Sequence, residues 1–226
     1  NVGILAIDPT SPFTGGSILG DRIRMNELST HPQAFIRSMG TRGQLGGLSA
    51  ATSSAVQVLD AVGADIIIIE TVGVGQSEVE IVKHADSILM VMVPGLGDDI
   101  QAMKAGIMEI GDVFAINKSD LPGANKTKIE VEAMLSFMPK RDWIPPVLLV
   151  SATAEEGIDE LVKELENHRE HQDKEGRLFE RRKRNLNELL LEVVQDKVFR
   201  QIRKDMDYPE VLEQLTKKEI DPYAAA

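Results

Sequence analysis

The sequence predicts an α/β fold in which a mostly parallel sheet is flanked by helices and followed by a C-terminal helical extension. Short apolar runs rich in Ile and Val alternate with longer segments of helical period, which is typical of a parallel sheet covered by helices. Beyond Ile158 the strand pattern stops, and Glu, Lys, Arg and Leu dominate as far as Lys218. We therefore expect a sheet domain over residues 1–157 and the extension over residues 158–226.

The expected elements follow from the same periodicity. The apolar runs interpreted as strands are Val2 to Ile7, Ala64 to Ile69, Ser87 to Val93, Val113 to Ile116 and Val147 to Val150. The segments interpreted as helices are residues 48–63, 77–85, 98–111 and 125–138. Several of them end in Gly, as helix C-termini often do. In the extension we expect breaks at Gly176 and Pro209, because neither residue favours a helix interior.

The composition excludes several classes of function. The net charge of -11 argues against nucleic acid as the main partner, because binding to a duplex depends on Lys and Arg. No apolar stretch reaches the roughly 18 residues that a membrane span needs, so we expect no membrane partner. The absence of cysteine excludes disulfides, thiolate metal sites and a cysteine nucleophile, and it suits a reducing compartment. We expect a cytoplasmic protein, or one of the mitochondrial matrix if the source is a eukaryote.

Polar residues follow four of the expected strands, at the carboxyl edge where such sheets bind ligands. Asp8 ends the first run, and Glu70 ends the second and is followed by Gly73. Both carboxylates suit Mg²⁺, which takes few protein oxygens and keeps several waters. Gly73 can bring a backbone N–H against a terminal phosphate because it has no side chain in the way.

The other two strand ends carry the residues expected to read a guanine base. In NKSD, the Asp120 carboxylate can accept from N1–H and from the exocyclic amine of guanine, whereas adenine has no donor at N1. Asn117 would brace the loop, and the stem of Lys118 would cover the face of the base. In the SAT segment, Ser151, Ala152 and Thr153, a backbone N–H near Ala152 could donate to guanine O6.

Each of these motifs also has an ordinary interpretation. An Asn-Lys-X-Asp tetrapeptide alone is usually a turn, and acids at strand ends are often only exposed ends. The order of the features favours a nucleotide site: an acid, then acid-x-x-Gly, then NKSD, then SA, each after its own apolar strand.

Longer motifs carry a resemblance to a known family. The segments AIDPTSPFTGGSILGDRIRM, ETVGVGQSEVEI, VPGLGDDIQAMKAGIMEI, NKSD and the terminal DPYAAA resemble the MeaB/ArgK family of P-loop GTPases, and the likeness extends through the whole chain. The family includes the methylmalonic aciduria type A protein, and its members act as chaperones of adenosylcobalamin-dependent mutases such as methylmalonyl-CoA mutase. The resemblance implies a SIMIBI-type P-loop NTPase sheet, GTP or GDP with Mg²⁺ as cofactors, GTP hydrolysis that gates cofactor loading and protection, and a homodimer formed by the C-terminal extension.

The resemblance also implies roles for individual residues. Asp8, Asp21 and Glu70 are expected around Mg²⁺, with Asp21 also a catalytic candidate. Gln76, three residues beyond Gly73, is a candidate for orienting the attacking water, although a glutamine in a Gly-rich loop is as often merely polar. The loops at residues 9–24 and 72–78 are expected to switch.

A further switch is expected in PGLGDDIQAMK, residues 94–104, which would sense the partner mutase. Lys104 in this segment could stabilise phosphate charge or contact the mutase. Without the resemblance, an ordinary strand-to-helix turn would be favoured here.

One element of the family pattern does not occur. The phosphate loop G-x-x-x-x-G-K-[ST] is absent from the 226 residues, and the chain opens at Asn1 directly on a strand pattern. We therefore expect an N-terminally truncated fragment that lacks the first strand and the phosphate loop. Such a fragment alone should lack GTPase activity, whereas its parent should have it.

Three other functions fit the sequence less well. A GTP-dependent metallochaperone would want clusters of Cys and His, but the chain has no Cys and four scattered His. The older family label, an arginine or ornithine transport ATPase, is a weaker interpretation, and the fragment by itself could be an interaction module.

Three motifs of the extension each allow two interpretations. HREH places His168 and His171 at metal-ligand spacing but is more often a solvated helix face, and RRKR at 181–184 is either an anion patch or an exposed helix surface. The apolar stripe along residues 186–194 is expected to form the homodimer, the alternative being that it folds back on its own sheet.

Overall fold

The computed structural model describes residues 1–8, 25, 28–40, 50–71, 84–95, 105–139, 141–205 and 208–225. The strands are β1 (Val2–Asp8), β2 (Ala34–Gly40), β3 (Ile66–Thr71), β4 (Leu89–Met92), β5 (Val113–Ile116) and β6 (Val147–Leu149). The helices are α1 (Ala50–Ala61), α2 (Ala105–Ile110), α3 (Ala124–Ser136), α4 (Ile158–Asp173), α5 (Arg177–Asp205), α6 (Tyr208–Thr216) and α7 (Pro222–Ala225). Short 3-10 helices lie at Leu28–Thr30 and Lys174–Gly176.

The described strands form two parallel sheets of three strands each. The first sheet has the order β2-β1-β3 and the second has the order β4-β5-β6, and all four strand pairs are parallel. All the carboxyl ends within one sheet therefore lie at the same edge. This confirms the α/β class with parallel pairing.

The second sheet is covered on both faces, which explains its continuous apolar runs. Phe114 and Ile116 of β5 pack in a cluster with α2 and α3, while Val113 and Ala115 pack in a second cluster with Leu161 of α4. All four residues of β5 are buried. On the first sheet, α1 covers one face of β1 and β3 through a cluster of Leu5, Ile7 and Leu59, with Ile67 and Ile69 packed against it.

Strand β2 was not expected from the sequence. It pairs with β1 along its whole length, from Val2 with Ala34 to Asp8 with Gly40. Among the described strands it lies at the edge of its sheet; its Phe35 is 55% exposed and its Arg37 is exposed. Because only part of such a strand is buried, its sequence AFIRSMG lacks the continuous apolar run that identified the others.

The C-terminal part is helical, as expected. Gly176 ends the 3-10 turn between α4 and α5 with a φ of 73°, and Pro209 is the second residue of α6. The chain divides into two compact units, Asn1–Arg182 and Lys183–Ala226. The division falls later than the boundary expected at residues 157 and 158, because α4 packs through Leu161 on the second sheet. Among the described residues, no helix combines the length and apolarity needed to cross a membrane.

Candidate functional site

Two loops at the carboxyl edge of the second sheet lie side by side. The first follows β5 and contains NKSD, residues 117–120, and the second follows β6 and contains SAT, residues 151–153. Val150 N–H donates to Ile116 O at 3.0 Å, and Ser119 N–H donates to Val150 O at 3.0 Å. The structure therefore brings together the two motifs that the sequence assigned to a guanine base.

The side chain of Asn117 connects the two loops. Its Oδ1 accepts from the backbone N–H of Lys118 at 2.8 Å and from the backbone N–H of Ala152 at 3.1 Å. Its own backbone N–H donates to Met92 O at 2.7 Å, so the residue is also tied to β4. The Ala152 amide is thus engaged by Asn117, and a base carbonyl bound at this amide would have to share or displace that bond.

A second bond across the loops holds the carboxylate of Asp120. The hydroxyl of Ser151 donates to Asp120 Oδ1 at 2.9 Å. Ser151 is fully buried and exchanges backbone hydrogen bonds with Glu156 at 3.0 and 3.1 Å, so the backbone from which its hydroxyl projects is held in place. Asp120 itself is exposed, which leaves its carboxylate accessible to a ligand while one oxygen is oriented.

The backbone of both loops adopts left-handed conformations. Lys118 has a φ of 58° within NKSD, and Glu155 has a φ of 56° beyond SAT. Gly157, at the start of α4, has a φ of 74°, and a Cβ at this position would lie 2.4 Å from the carbonyl oxygen of Leu149. Glycine is therefore required where the SAT loop turns into α4.

The carboxyl edge of the first sheet fits a cation. Glu70 lies near the end of β3, and its Oε2 is buried without a hydrogen-bond partner among the described residues. Asp8 is the last residue of β1, two positions beyond Ala6, which pairs with Glu70. A buried carboxylate oxygen without a partner is costly unless a ligand satisfies it, and Mg²⁺ with its waters is a ligand of the right charge.

The remaining predicted site residues differ in how far the structure describes them. Asp21, Gly73, Gln76 and Lys104 lie outside the described residues, as does the side chain of Asp8. In the two loops, Lys118, Ala152 and Thr153 are exposed and Asn117 is half-buried.

A polar cluster at the opposite, amino edge of the second sheet was missed by sequence reasoning. His168 of α4 is fully buried, with its Nδ1 2.7 Å from the Ser87 hydroxyl and its Nε2 3.0 Å from the Gln172 amide. Asp112 lies 3.5 Å from the same Nε2. Burial lowers the pKa of His168; Asp112 opposes this shift, and Arg181 and His171 add to it. The solvated face expected for HREH is therefore wrong for His168, and no group of metal ligands occurs among the described residues.

Arginines at the start of α5 pair with this edge. Arg181 lies 3.5 Å from Asp112, and Arg182 makes hydrogen bonds of 3.0 and 2.5 Å to the two carboxylate oxygens of Asp86. The pKa of Arg182 is raised, chiefly by its hydrogen bond to Asp86. Arg181 and Arg182 therefore do not form an anion patch, because their charges are paired within the protein. Arg182, Lys183 and Arg184 are exposed, as expected for a helix surface.

Comparison with known proteins places these features in a family. Residues 1–207 match the family model described as methylmalonyl Co-A mutase-associated GTPase MeaB. A protein of Pyrococcus abyssi whose name places it among the GTPases is 49% identical over 233 residues, which cover 100% of this chain and 72% of the relative. GTPase ArgK of Escherichia coli is 37% identical over 214 residues, covering 92% of this chain and 64% of the relative. The methylmalonic aciduria type A homolog, mitochondrial, of Caenorhabditis elegans is 38% identical over 208 residues, covering 90% and 52%.

Two solved structures share the fold of this chain. The crystal structure of an LAO/AO transport system kinase superimposes with a TM-score of 0.69 at 26% identity, covering 99% of this chain and 68% of that one. The structure of HypB from Helicobacter pylori in complex with nickel has a TM-score of 0.52 at 17% identity, covering 75% of this chain and 74% of that one, which is a likeness of fold alone. The chain belongs to the methylmalonyl-CoA mutase-associated GTPase family, MeaB.

Proposed function

We propose that the protein binds and hydrolyses GTP and acts as a chaperone of an adenosylcobalamin-dependent mutase of the methylmalonyl-CoA mutase type, gating the loading and protection of its cofactor. The main support for nucleotide binding is the contact between the NKSD and SAT loops. Asn117 bonds to both loops, and the Ser151 hydroxyl donates to Asp120. A turn without a binding role would not need the buried Ser151 to orient the exposed Asp120 of the neighbouring loop.

Guanine selectivity follows from the chemistry of Asp120. One of its oxygens accepts from Ser151, and the carboxylate can still accept from the N1–H and the exocyclic amine of guanine. Adenine presents an acceptor at N1, so it would leave the carboxylate unpaired and repel it. Lys118 supports the same pocket by covering the base with its stem.

Mg²⁺ is assigned to the first sheet. Glu70, with Asp8 and Asp21, would hold it, and the unpartnered Oε2 of Glu70 supports this assignment. When bound, the ion would neutralise the charge that develops on the phosphates. Gly73 would approach the terminal phosphate, and Gln76 is retained as the residue that orients water.

Phosphate binding of this class needs a G-x-x-x-x-G-K-[ST] loop, which the 226 residues do not contain. Among the described strands, β3 and β4 are each paired on one side only, which leaves room for a further strand at either edge. The nucleotide experiments below use a form of the protein that carries such a loop, called the loop-containing form.

The partner is proposed to act through residues 94–104. We expect Gln101→Ala or Lys104→Ala to leave basal GTP hydrolysis of the loop-containing form nearly intact and to reduce its acceleration by the mutase. The reason is that a switch element contributes only when a partner biases it between two arrangements. Turnover is measured with and without saturating mutase, and full acceleration in both variants would remove this segment from the coupling.

A homodimer is proposed through the exposed apolar residues of α5. In the second compact unit these are Leu186, Leu190, Leu191, Val194 and Val198, each about half exposed. The alignment of these side chains along a 29-residue helix favours a partner surface, because pairing would remove apolar area from water. Sedimentation equilibrium should show a dimer that Leu190→Glu with Val194→Glu dissociates; a wild-type monomer at all concentrations would contradict the proposal.

The nucleotide function itself is tested by hydrolysis. The loop-containing form should hydrolyse GTP and not ATP, and Asp21→Ala should slow hydrolysis much more than it weakens GDP binding, because the ion matters most in the transition state. Equal turnover of GTP and ATP would contradict the proposal.

A further inference from the structure

Two buried oxygens without a partner flank one alanine of the first sheet. Among the described residues, Ser38 Oγ and Glu70 Oε2 are buried and make no hydrogen bond. Ala6 of β1 pairs with Ser38 of β2 on one side and with Glu70 of β3 on the other. The three residues therefore form one row across the sheet, which we call the Ser38–Glu70 row.

Paired residues of parallel strands project from the same face, so the side chains of this row share one side of the sheet. Ala6 in the middle is fully buried and contributes only a methyl group. The Cα atoms of Ser38 and Glu70 are separated by two strand spacings, about 9.6 Å. A larger residue than alanine would fill the space between the two oxygens.

The chemistry of the two oxygens restricts what can satisfy them. An ionised carboxylate only accepts hydrogen bonds, whereas a hydroxyl both donates and accepts. An anion is disfavoured because it would be repelled by Glu70. A hydrated divalent cation fits, because its waters donate to both oxygens and its charge balances the carboxylate.

We infer that Ser38 is a positioning residue of the cation site. Glu70 binds the cation from the β3 side of Ala6, and Ser38 holds a water of the cation's shell from the β2 side. The inference rests on the proposed function in one respect, namely that Glu70 serves a divalent cation. Ser38 does not touch the nucleotide in this scheme. It orients the hydration shell, as residues behind metal ligands commonly do.

A third hydroxyl without a partner provides a matched control. Thr52 of α1 is fully buried and its Oγ1 makes no hydrogen bond among the described residues. Its helix packs on the opposite face of the sheet, against Leu5, Ile7 and Leu59. Thr52→Val therefore removes an unpaired hydroxyl of the same kind without altering the row.

The test measures Mn²⁺ binding to the 226-residue chain by the electron paramagnetic resonance signal of the free ion. Four variants are compared with the unaltered chain: Ser38→Ala, Ser38→Thr, Thr52→Val and Glu70→Gln. We expect Ser38→Ala to weaken Mn²⁺ binding about tenfold, the range seen when such partners are removed. Ser38→Thr keeps the hydroxyl and should retain binding, Thr52→Val should bind as the unaltered chain does, and Glu70→Gln should lose the ion.

Stability without the ion gives the second readout. Removing an unpaired buried hydroxyl should raise the melting temperature measured without the ion in both Ser38→Ala and Thr52→Val. Of these two variants, only Ser38→Ala should show a smaller rise in melting temperature on adding Mg²⁺ than the unaltered chain shows.

The outcomes separate the inference from the proposed function. Unchanged Mn²⁺ binding in Ser38→Ala, an equal loss in Thr52→Val, or no binding by the unaltered chain would each overturn the inference. The preference for guanine over adenine is measured separately, with variants of Asp120. The inference about Ser38 can therefore fail while the proposed nucleotide function is retained.

Discussion

Replacing Asn117 by alanine tests whether the junction between the two loops is structural support for nucleotide binding. The change removes an acceptor that serves two backbone N–H groups, at 2.8 Å from Lys118 and 3.1 Å from Ala152. Each lost bond is worth about 0.5–1.5 kcal/mol, so the free energy of unfolding should fall by about 1–3 kcal/mol. If the same free energy is needed to hold the two loops in the arrangement that binds the nucleotide, affinity for GDP should fall between about fivefold and about 150-fold.

The assay pairs urea unfolding with titration of a fluorescent GDP into the loop-containing form. Asn167→Ala is the matched control, because Asn167 makes one side-chain bond, to Glu164 at 3.1 Å on α4, and joins no loops. We expect the control to change either quantity by no more than about 0.5 kcal/mol. Equal effects of the two substitutions on stability and on GDP affinity would refute the bridging role of Asn117.

Two further predictions concern the fold around the sites. Gly157→Ala should destabilise the protein by about 2 kcal/mol or more in urea unfolding, because the new Cβ would lie 2.4 Å from the carbonyl oxygen of Leu149. Gly176→Ala is the control: Gly176 has a φ of 73° but no atom within 4 Å of the new Cβ, so this change should cost only about 1 kcal/mol. Equal costs of the two substitutions would contradict the clash at Gly157. The lowered pKa of His168 means that the unfolded chain binds a proton near pH 6.5 while the folded chain does not, so stability is complete above pH 6.5 and decreases as the pH falls through this value. Measured against His168→Gln, the loss should approach about 1.4 kcal/mol per pH unit, and parallel pH profiles would exclude His168 as its source.

The parallel sheet and the meeting of NKSD with SAT at one edge of the second sheet could be predicted from the sequence, because both depend on local patterns. β5 is buried on both faces, so its apolar run was visible, and the motifs after β5 and β6 had to meet once these strands paired in parallel. The same reasoning could not find β2, an edge strand interrupted by Arg37 and Ser38. Nor could it find the burial of His168, which depends on α4 packing across the strand ends rather than on the polar sequence HREH around it.

The Ser38–Glu70 row shows a further limit of sequence reasoning. Glu70 was predicted from its place at a strand end, whereas Ser38 becomes significant only through its register with Ala6. Register between non-adjacent strands is set by tertiary packing and leaves no signal in a single sequence.

Exchanging Asp120 for asparagine tests whether its carboxylate reads a guanine base. In the loop-containing form, affinities for GDP, ADP and xanthosine diphosphate (XDP) are measured for the unaltered protein and for Asp120→Asn. We expect the unaltered protein to prefer GDP to ADP by orders of magnitude. We expect Asp120→Asn to weaken GDP binding and to strengthen binding of XDP, because the new amide can donate to the xanthine carbonyl. Unchanged GDP affinity in Asp120→Asn, with no gain for XDP, would contradict this role of Asp120.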